Sequence, residues 1–280
     1  MEDNSMNNIK RIAFYALAAA GLMSVASCSL FKIDNYEAPD ETIRGRVVDM
    51  DGNPVLTDQG SEGIRVRLLD LEWEAAGNEV TPQDFNCMPD GTFQNTKLFP
   101  GRYNVTVDGP FVPLVMDDAQ GVPVADNSQN IEIIKGKPCE VEFMVQPFLN
   151  VEFVDYPQVS DGKIVAKVRV SRAISKNDLK DAISQTGDWK DEYANVTDIQ
   201  LYVGYNSSIG YRSHDSEWSS YVEYSGSAFE SKLGKEIELR TNGVIPSGRK
   251  MYVRVAARIN YQTANVRRYN YTEPLEVLIP

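Results

Sequence analysis

The run IRGRVVDMDGNPV, residues 43–55, alternates through Val48 and then breaks into Asp, Gly, Asn and Pro. Ile43, Gly45 and Val47 fall on one side, and Arg44, Arg46 and Val48 on the other. That period of two sets one face of a strand in a core and the other in water. Asp49 to Pro54 carries the residues of a tight turn. The same grammar repeats further along the chain. Ile64, Val66 and Leu68 alternate with Arg65 and Arg67; Tyr103, Val105 and Val107 with Asn104 and Thr106; Val141, Phe143 and Val145 with Glu140, Glu142 and Met144. PDGTF (89–93), FPGRY (99–103) and DGP (108–110) punctuate these runs as turns. Short alternating strands separated in this way predict an antiparallel β-sandwich.

A boundary is expected near Gln146-Pro147, after which the pattern restarts. Leu149 to Val154 reads as a strand, and Ile164, Ala166, Val168 and Val170 alternate with Lys167 and Arg169. DIQLYVGY (198–205), SSYVEYS (219–225), KEIELRT (235–241), KMYVRVAARI (250–259) and YTEPLEVLI (271–279) continue the series. One helix is expected over 175–184, with Ser175 as its cap and Leu179, Ala182 and Ile183 on one face. The fold class is therefore all-β, two antiparallel β-sandwich domains in tandem over 42–147 and 148–280.

Ahead of the strands, Lys10 and Arg11 introduce the apolar run from Ile12 to Val25. As a helix it would span about 21 Å, short of the roughly 30 Å of a bilayer's hydrocarbon core. A basic pair, a short apolar run and small residues before Cys28 make a secretory signal over 1–27. Glu2 and Asp3 suit a signal's positive start poorly, so Met6 competes with Met1 as initiator. Val25-Ala26-Ser27-Cys28 resembles the lipobox of bacterial lipoproteins, which implies lipidation of Cys28; an ordinary signal peptide containing a cysteine is the alternative. Residues 28–41 read as an acidic tether. Its acids begin only at Asp34, so both surface display and an inward-facing outer-membrane attachment stay open.

IRGRVVDMDGNPV, RVRLLD, PDGTFQNTKLFPGRYNVTV and EVEFMV together resemble the carboxypeptidase-regulatory-like fold, a transthyretin-type sandwich of seven strands. The intervening GPFVPLVMDDAQGVPV (109–124) is longer than that fold needs and is expected to form an extended excursion. IPSGRKMYVRVAARIN and EPLEV resemble the last strands of an immunoglobulin-like fibronectin type III domain. Placing Val253, Val255 and Ala257 inward puts Met251 where that family's corner tyrosine sits, and turns Tyr252 outward. With the lipobox, the chain resembles an uncharacterised family of Bacteroides-type lipoproteins, which are typically encoded beside SusC/SusD-like outer-membrane glycan importers.

Of the 280 residues, 253 would remain after the signal, and they carry the whole formal net charge of −12. Such a surface repels phosphate backbones and anionic headgroups, which argues against nucleic acid and leaves acyl chains as the membrane contact. No G-x-S-x-G, H-E-x-x-H, Walker-type or G-x-G-x-x-G stretch occurs. No enzyme activity, cofactor or metal is expected. The only histidine, His214, lies in a polar loop and would have to meet Cys87 across two domains to form a nucleophilic pair. Asp49-Met50-Asp51-Gly52-Asn53 opens like a calcium loop, but Gly60 stands where the closing Glu belongs, so a turn is expected. An oxidising compartment permits a disulfide between Cys87 and Cys139, whose proximity the sequence does not reveal.

Eleven of the 14 tyrosines and two of the three tryptophans follow residue 148, which directs attention to the second domain's loops. Sugar rings lie flat on exposed aromatic faces, and sandwich loops commonly present them. Trp189, Tyr211, Trp218 and Tyr269 are the candidate ligand contacts; Tyr202, Tyr224 and Tyr252 sit in strand runs, and Trp73 in a loop of the first domain. The expected function is a non-catalytic, lipid-anchored outer-membrane accessory that captures polysaccharide or oligosaccharide beside a SusC/SusD-like importer. The alternative is a structural or assembly lipoprotein that binds a protein partner, such as an importer subunit or an adhesin-like filament.

Overall fold

The alternation of IRGRVV becomes β1 (Glu41–Val48), which buries Ile43 and Val47 and turns Arg44 and Arg46 to solvent. The computed structural model describes residues 37–280; the signal 1–27, the lipidation candidate Cys28 and the tether as far as residue 36 lie outside the described residues. The first half continues with β2 (Arg65–Asp70), β3 (Gln83–Asn86), β4 (Thr92–Leu98), β5 (Gly101–Asp108), β6 (Val115–Asp117), β7 (Pro123–Asp126), β8 (Gln129–Ile133) and β9 (Cys139–Met144). Seven of these form a sandwich, with β4-β1-β9 in one sheet and β3-β2-β5-β8 in the other. Ile43, Val66, Phe93, Tyr103, Val105, Val141 and Phe143 meet between them in one core. The Pro-Gly turn before β5 brings Tyr103 inward, where its hydroxyl donates to the Phe99 carbonyl at 3.1 Å. In the PDGT turn Gly91 has φ +79°, and a Cβ there would lie 2.7 Å from the Val55 carbonyl oxygen, so a side chain is excluded twice over.

Four features add to the sequence expectation or depart from it. First, β1 and β9 run parallel, with Ile43 opposite Cys139. These strands begin and end the domain, so the connection between them has ample length for a crossover. Second, the excursion contributes a separate two-stranded hairpin, β6 with β7. Third, a short helix, Leu71–Ala75, follows β2 and holds Trp73; Asp70 caps it by accepting from the Glu72 and Trp73 amides. Fourth, Cys87 and Cys139 are free thiols. Cys139 pairs at the Ile43 end of β1, whereas the turn after Cys87 closes onto Thr92, opposite Arg46. The two sulfurs therefore belong to opposite ends of the sandwich.

The second half comprises β10 (Leu149–Phe153), β11 (Gln158–Ser160), β12 (Lys163–Arg172), β13 (Val196–Gly204), β14 (Ser220–Glu223), β15 (Glu236–Arg240), β16 (Lys250–Ile259), β17 (Asn270–Tyr271) and β18 (Leu275–Leu278). β10, β11 and β15 all pair with β12. The facing sheet runs β14-β13-β16, and β17 and β18 both pair with β16. The helix forms over Lys176–Ser184, with the Ser175 hydroxyl accepting the Asp178 amide at 3.0 Å. Leu179 and Ile183 pack beneath it into a core that also holds Met251, Val253, Val255 and Ala257. Among the described residues every strand pair but β1–β9 is antiparallel, and the two stacked cores make the chain an all-β tandem of sandwiches.

The centre of the outer face of the second sandwich's larger sheet is not in water. Arg254, which alternation would expose, is 1% exposed. Its Nε donates to the Thr272 carbonyl and its Nη1 to the Thr57 carbonyl of the first half, both at 2.8 Å. Arg268 Nε donates to the Gly63 carbonyl at 2.8 Å, and Thr263 Oγ1 to the Gly109 carbonyl at 2.8 Å. Tyr202, Ile209, Ala256, Tyr269 and Tyr271 cluster there, with Leu56 of the first half packed against them. Pro39–Pro280 is accordingly one compact unit.

Candidate functional site

Because Tyr103, Val105 and Val107 point into the first core, Asn104, Thr106 and Asp108 point out from β5. They floor an open cleft of about 1030 Å³ between the two halves. Asn104 Nδ2 donates to Ser128 Oγ at 2.7 Å and to Asn130 Oδ1 at 2.9 Å. Ser128 Oγ in turn donates to Asp126 Oδ1 at 2.6 Å, and its amide donates to the same oxygen at 3.0 Å. These bonds hold the Asp126 carboxyl below its usual range, so it is ionised at neutral pH. Arg65 bridges Asp108 and Asp84, and Arg67 grips Asp84 through two bonds of 2.8 Å.

The β6–β7 hairpin forms one wall through Met116, Asp117 and Asp118. The opposite wall comes from the second half: Thr186, Asp188, Tyr261, Gln262 and Asn265. Ala264 and Asn265 have φ of +48° and +64°, closed by reciprocal bonds between Thr263 and Val266. Two consecutive positive φ values are the geometry of a tight primed turn, which Asn tolerates and Ala strains to adopt. Thr263, bonded to Gly109, anchors this turn at the mouth.

An aromatic run leads away from the cleft. The Tyr261 ring meets Phe148 edge-on at 5.9 Å and Tyr193 at 5.4 Å, and Tyr193 meets Trp189 at 6.1 Å. Burial pushes the Tyr261 hydroxyl up to about 12, so it is a neutral donor. Tyr193 donates to Asp188 at 3.1 Å, and Trp189 Nε1 to Asp191 at 2.9 Å. Half-buried Trp189 thus stands one residue from the cleft wall. It alone of the four candidate contacts does so.

The other three lie elsewhere. Trp218 is 3% exposed and Tyr269 2%, so neither offers a ring face to a sugar. Trp218 joins the second core and is covered by the Arg249 guanidinium at 5.2 Å. Tyr269 is held by Asp198 and roofed by Tyr211, whose ring stacks on it at 6.0 Å. Tyr211 remains 42% exposed. Loop position in the sequence did not translate into exposure, because these loops fold back over the sheet. Tyr202 is buried between the halves, Tyr252 is half-buried there, and Tyr224 leans on Phe229. Trp73 is 55% exposed, with Nε1 bonded to the Glu79 carbonyl at 3.2 Å.

His214 Nδ1 meets the Gly210 carbonyl at 3.0 Å, and burial pushes the Cys87 thiol up to about 12. Asp49 Oδ1 accepts the Asp51 amide at 2.9 Å and the Asn53 amide at 2.8 Å, a turn made by its own carboxylate. No group of three side chains able to hold a metal occurs among the described residues. Sequence reasoning missed Asn104, Ser128 and Asn130, although DNSQN (126–130) is dense in amides and hydroxyls. Planar amides, hydroxyls and carboxylates beside a tyrosine are suited to binding a polar, hydroxyl-rich molecule.

A family model described as "Protein of unknown function (DUF3823) N-terminal domain" matches residues 41–134. No curated protein matches the chain. A DUF3823 family protein from Bacteroides uniformis, of solved structure, is 55% identical over 86% of this chain and 100% of its own, with a TM-score of 0.82. A second Bacteroides uniformis protein, provisionally described as carbohydrate binding, is 16% identical over the same shares with a TM-score of 0.61. A DUF3823 family protein from Parabacteroides merdae, also 16% identical over 86% and 100%, has a TM-score of 0.56. The last two likenesses are of fold.

Proposed function

The chain belongs to the DUF3823 family, of unknown function, and on that premise we propose that it is a non-catalytic glycan-capture protein. In this reading Cys28 carries the lipid that tethers it to the outer membrane beside a SusC/SusD-like importer. The cleft between the sandwiches holds a polysaccharide segment. The observation that carries the proposal is the hydrogen-bonded row Asp126–Ser128–Asn104–Asn130, which faces Tyr261 and Gln262 across the cleft. Sugar hydroxyls both donate and accept, and such a row offers both partners at fixed positions. The shared fold with a protein provisionally described as carbohydrate binding supports the same direction. Each site need bind only weakly, since many anchored copies on one membrane raise the effective concentration.

The test is affinity electrophoresis of the full chain in mild detergent against a polysaccharide panel, with Asn130→Ala and Gln262→Ala alongside. Both residues are exposed, so these variants keep the fold. Retardation by one class of polymer, lost in either variant, supports the cleft; retardation unchanged in both rejects it. A second reading, an assembly lipoprotein with a protein partner, draws on β14. This short edge strand exposes Tyr221 and Val222, a surface on which another strand could pair. Absence of any retardation, together with a single crosslinked protein in native membranes, supports that reading instead.

A further inference from the structure

Resting on the cleft as the glycan site, we infer that it takes uncharged polysaccharide and excludes chains that bear carboxylate or sulfate groups. The reason is the charge that lines it. Among the described residues Arg65 and Arg67 are the only cations on the lining, and both are engaged by Asp84 and Asp108. Two cations against two carboxylates leave that corner neutral. Asp117 and Asp118 on the hairpin wall, Asp126 on the floor and Asp188 on the far wall have no cationic partner among the described residues. Asp118 accepts the Gln120 amide at 2.9 Å and the Val122 amide at 2.8 Å, and Asp188 accepts the Tyr193 hydroxyl. These donors are neutral groups, which bring no positive charge to the carboxylates they meet.

A polymer with a negative charge on each repeat would bring those charges within a few ångströms of this ring. Physiological salt screens over about 8 Å, so repulsion at contact persists. A neutral chain meets the same carboxylates as acceptors for its hydroxyls, and bonds to an ionised acceptor are the stronger kind. The ring of aspartates therefore works as a filter as well as a set of anchors.

The experiment compares the full chain in mild detergent against neutral polymers (dextran, mannan, arabinan) and acidic ones (polygalacturonate, chondroitin sulfate) of matched length, at low and high salt. Expected is binding to a neutral polymer that salt barely changes, and binding to both acidic polymers at least about tenfold weaker. Asp117→Lys, at an exposed position, should gain acidic-polymer binding at low salt and lose it again at high salt. Wild-type binding of an acidic polymer as tightly as any neutral one overturns the filter while leaving the glycan reading standing. Failure of every polymer with both proteins overturns the glycan reading and the filter with it.

Discussion

Gly45 sits on β1 where a Cβ would lie 2.1 Å from the Val141 carbonyl oxygen and 2.5 Å from Phe93 Cζ. The oxygen belongs to the neighbouring strand and cannot retreat without breaking the β1–β9 ladder. Gly45→Ala is expected to cost about 2–3 kcal/mol, read as a lowered midpoint in urea; an unchanged midpoint would show that the sheet can part there. Asp198 is the other residue with leverage. It is 4% exposed and accepts from the Tyr269 hydroxyl, from Gln200 at 2.9 Å and from Arg258 at 2.8 Å. Burial raises its pKa, but the Tyr269 and Gln200 bonds and the Arg258 charge outweigh it, leaving the folded value below 3.8. A depressed folded value means stability that is present above 3.8 and lost as pH falls through the folded value. Asp198→Asn should therefore be less stable than wild type at neutral pH by about 3 kcal/mol. Denaturant titrations across pH should show that gap closing below 3.8; a gap independent of pH would mean that the carboxylate's charge contributes nothing.

At the scale of elements, alternation was a sufficient guide wherever one strand face met a core. Ile43 and Val47, Val105 and Val107, and Val253 and Val255 are all inward as their spacing predicts. The helix cap was equally legible, since Ser175 precedes an amphipathic stretch. Ser175→Ala removes the bond to the Asp178 amide. It should cost about 1 kcal/mol, and thermal melts that shift no further than a surface substitution would contradict the cap's role. The helix at Leu71–Ala75 was not legible, because five residues are too few to establish a period. Its signal was Asp70 ahead of Glu72 and Glu74, a cap followed by acids at the helix's positive end. The aromatic loops misled for a different reason. Tyr and Trp serve equally as exposed platforms and as core fillers, and only the path of the 205–219 and 261–270 segments over the sheet decides which. Trp218 and Tyr269 went inward, and the polar row on β5 and β8 was left as the surface that a ligand can reach.

The docking of the two sandwiches is the property least visible in sequence, and it is also what creates the cleft. Alternation assigned Arg254, Arg258 and Tyr252 to water because it considers one strand at a time. Arg254 and Arg268 are held instead by backbone carbonyls of Thr57, Pro89 and Gly63, which no residue type announces, and Arg258 by the Asp198 carboxylate. Burial lowers the Arg254 guanidinium to about 10, still charged at neutral pH, and the Tyr271 ring lies 4.3 Å away to receive it. Replacing Arg254 and Arg268 together by Met keeps apolar bulk but orphans these carbonyls, at roughly 1–3 kcal/mol for each one left buried. Neither side chain enters either sandwich core, so each sandwich should still fold. Wild type is expected to unfold in one calorimetric transition and the double variant in two, with a larger radius by X-ray scattering. Glycan retention should fall in parallel, because Asn104 and Asn130 stand on one sandwich and Tyr261 and Gln262 on the other. A double variant that still melts once would mean that the apolar cluster of Leu56, Ile209 and Tyr271 suffices to join the halves. The arginines would then act on the cleft's shape alone, and glycan retention in that variant would measure how much shape matters.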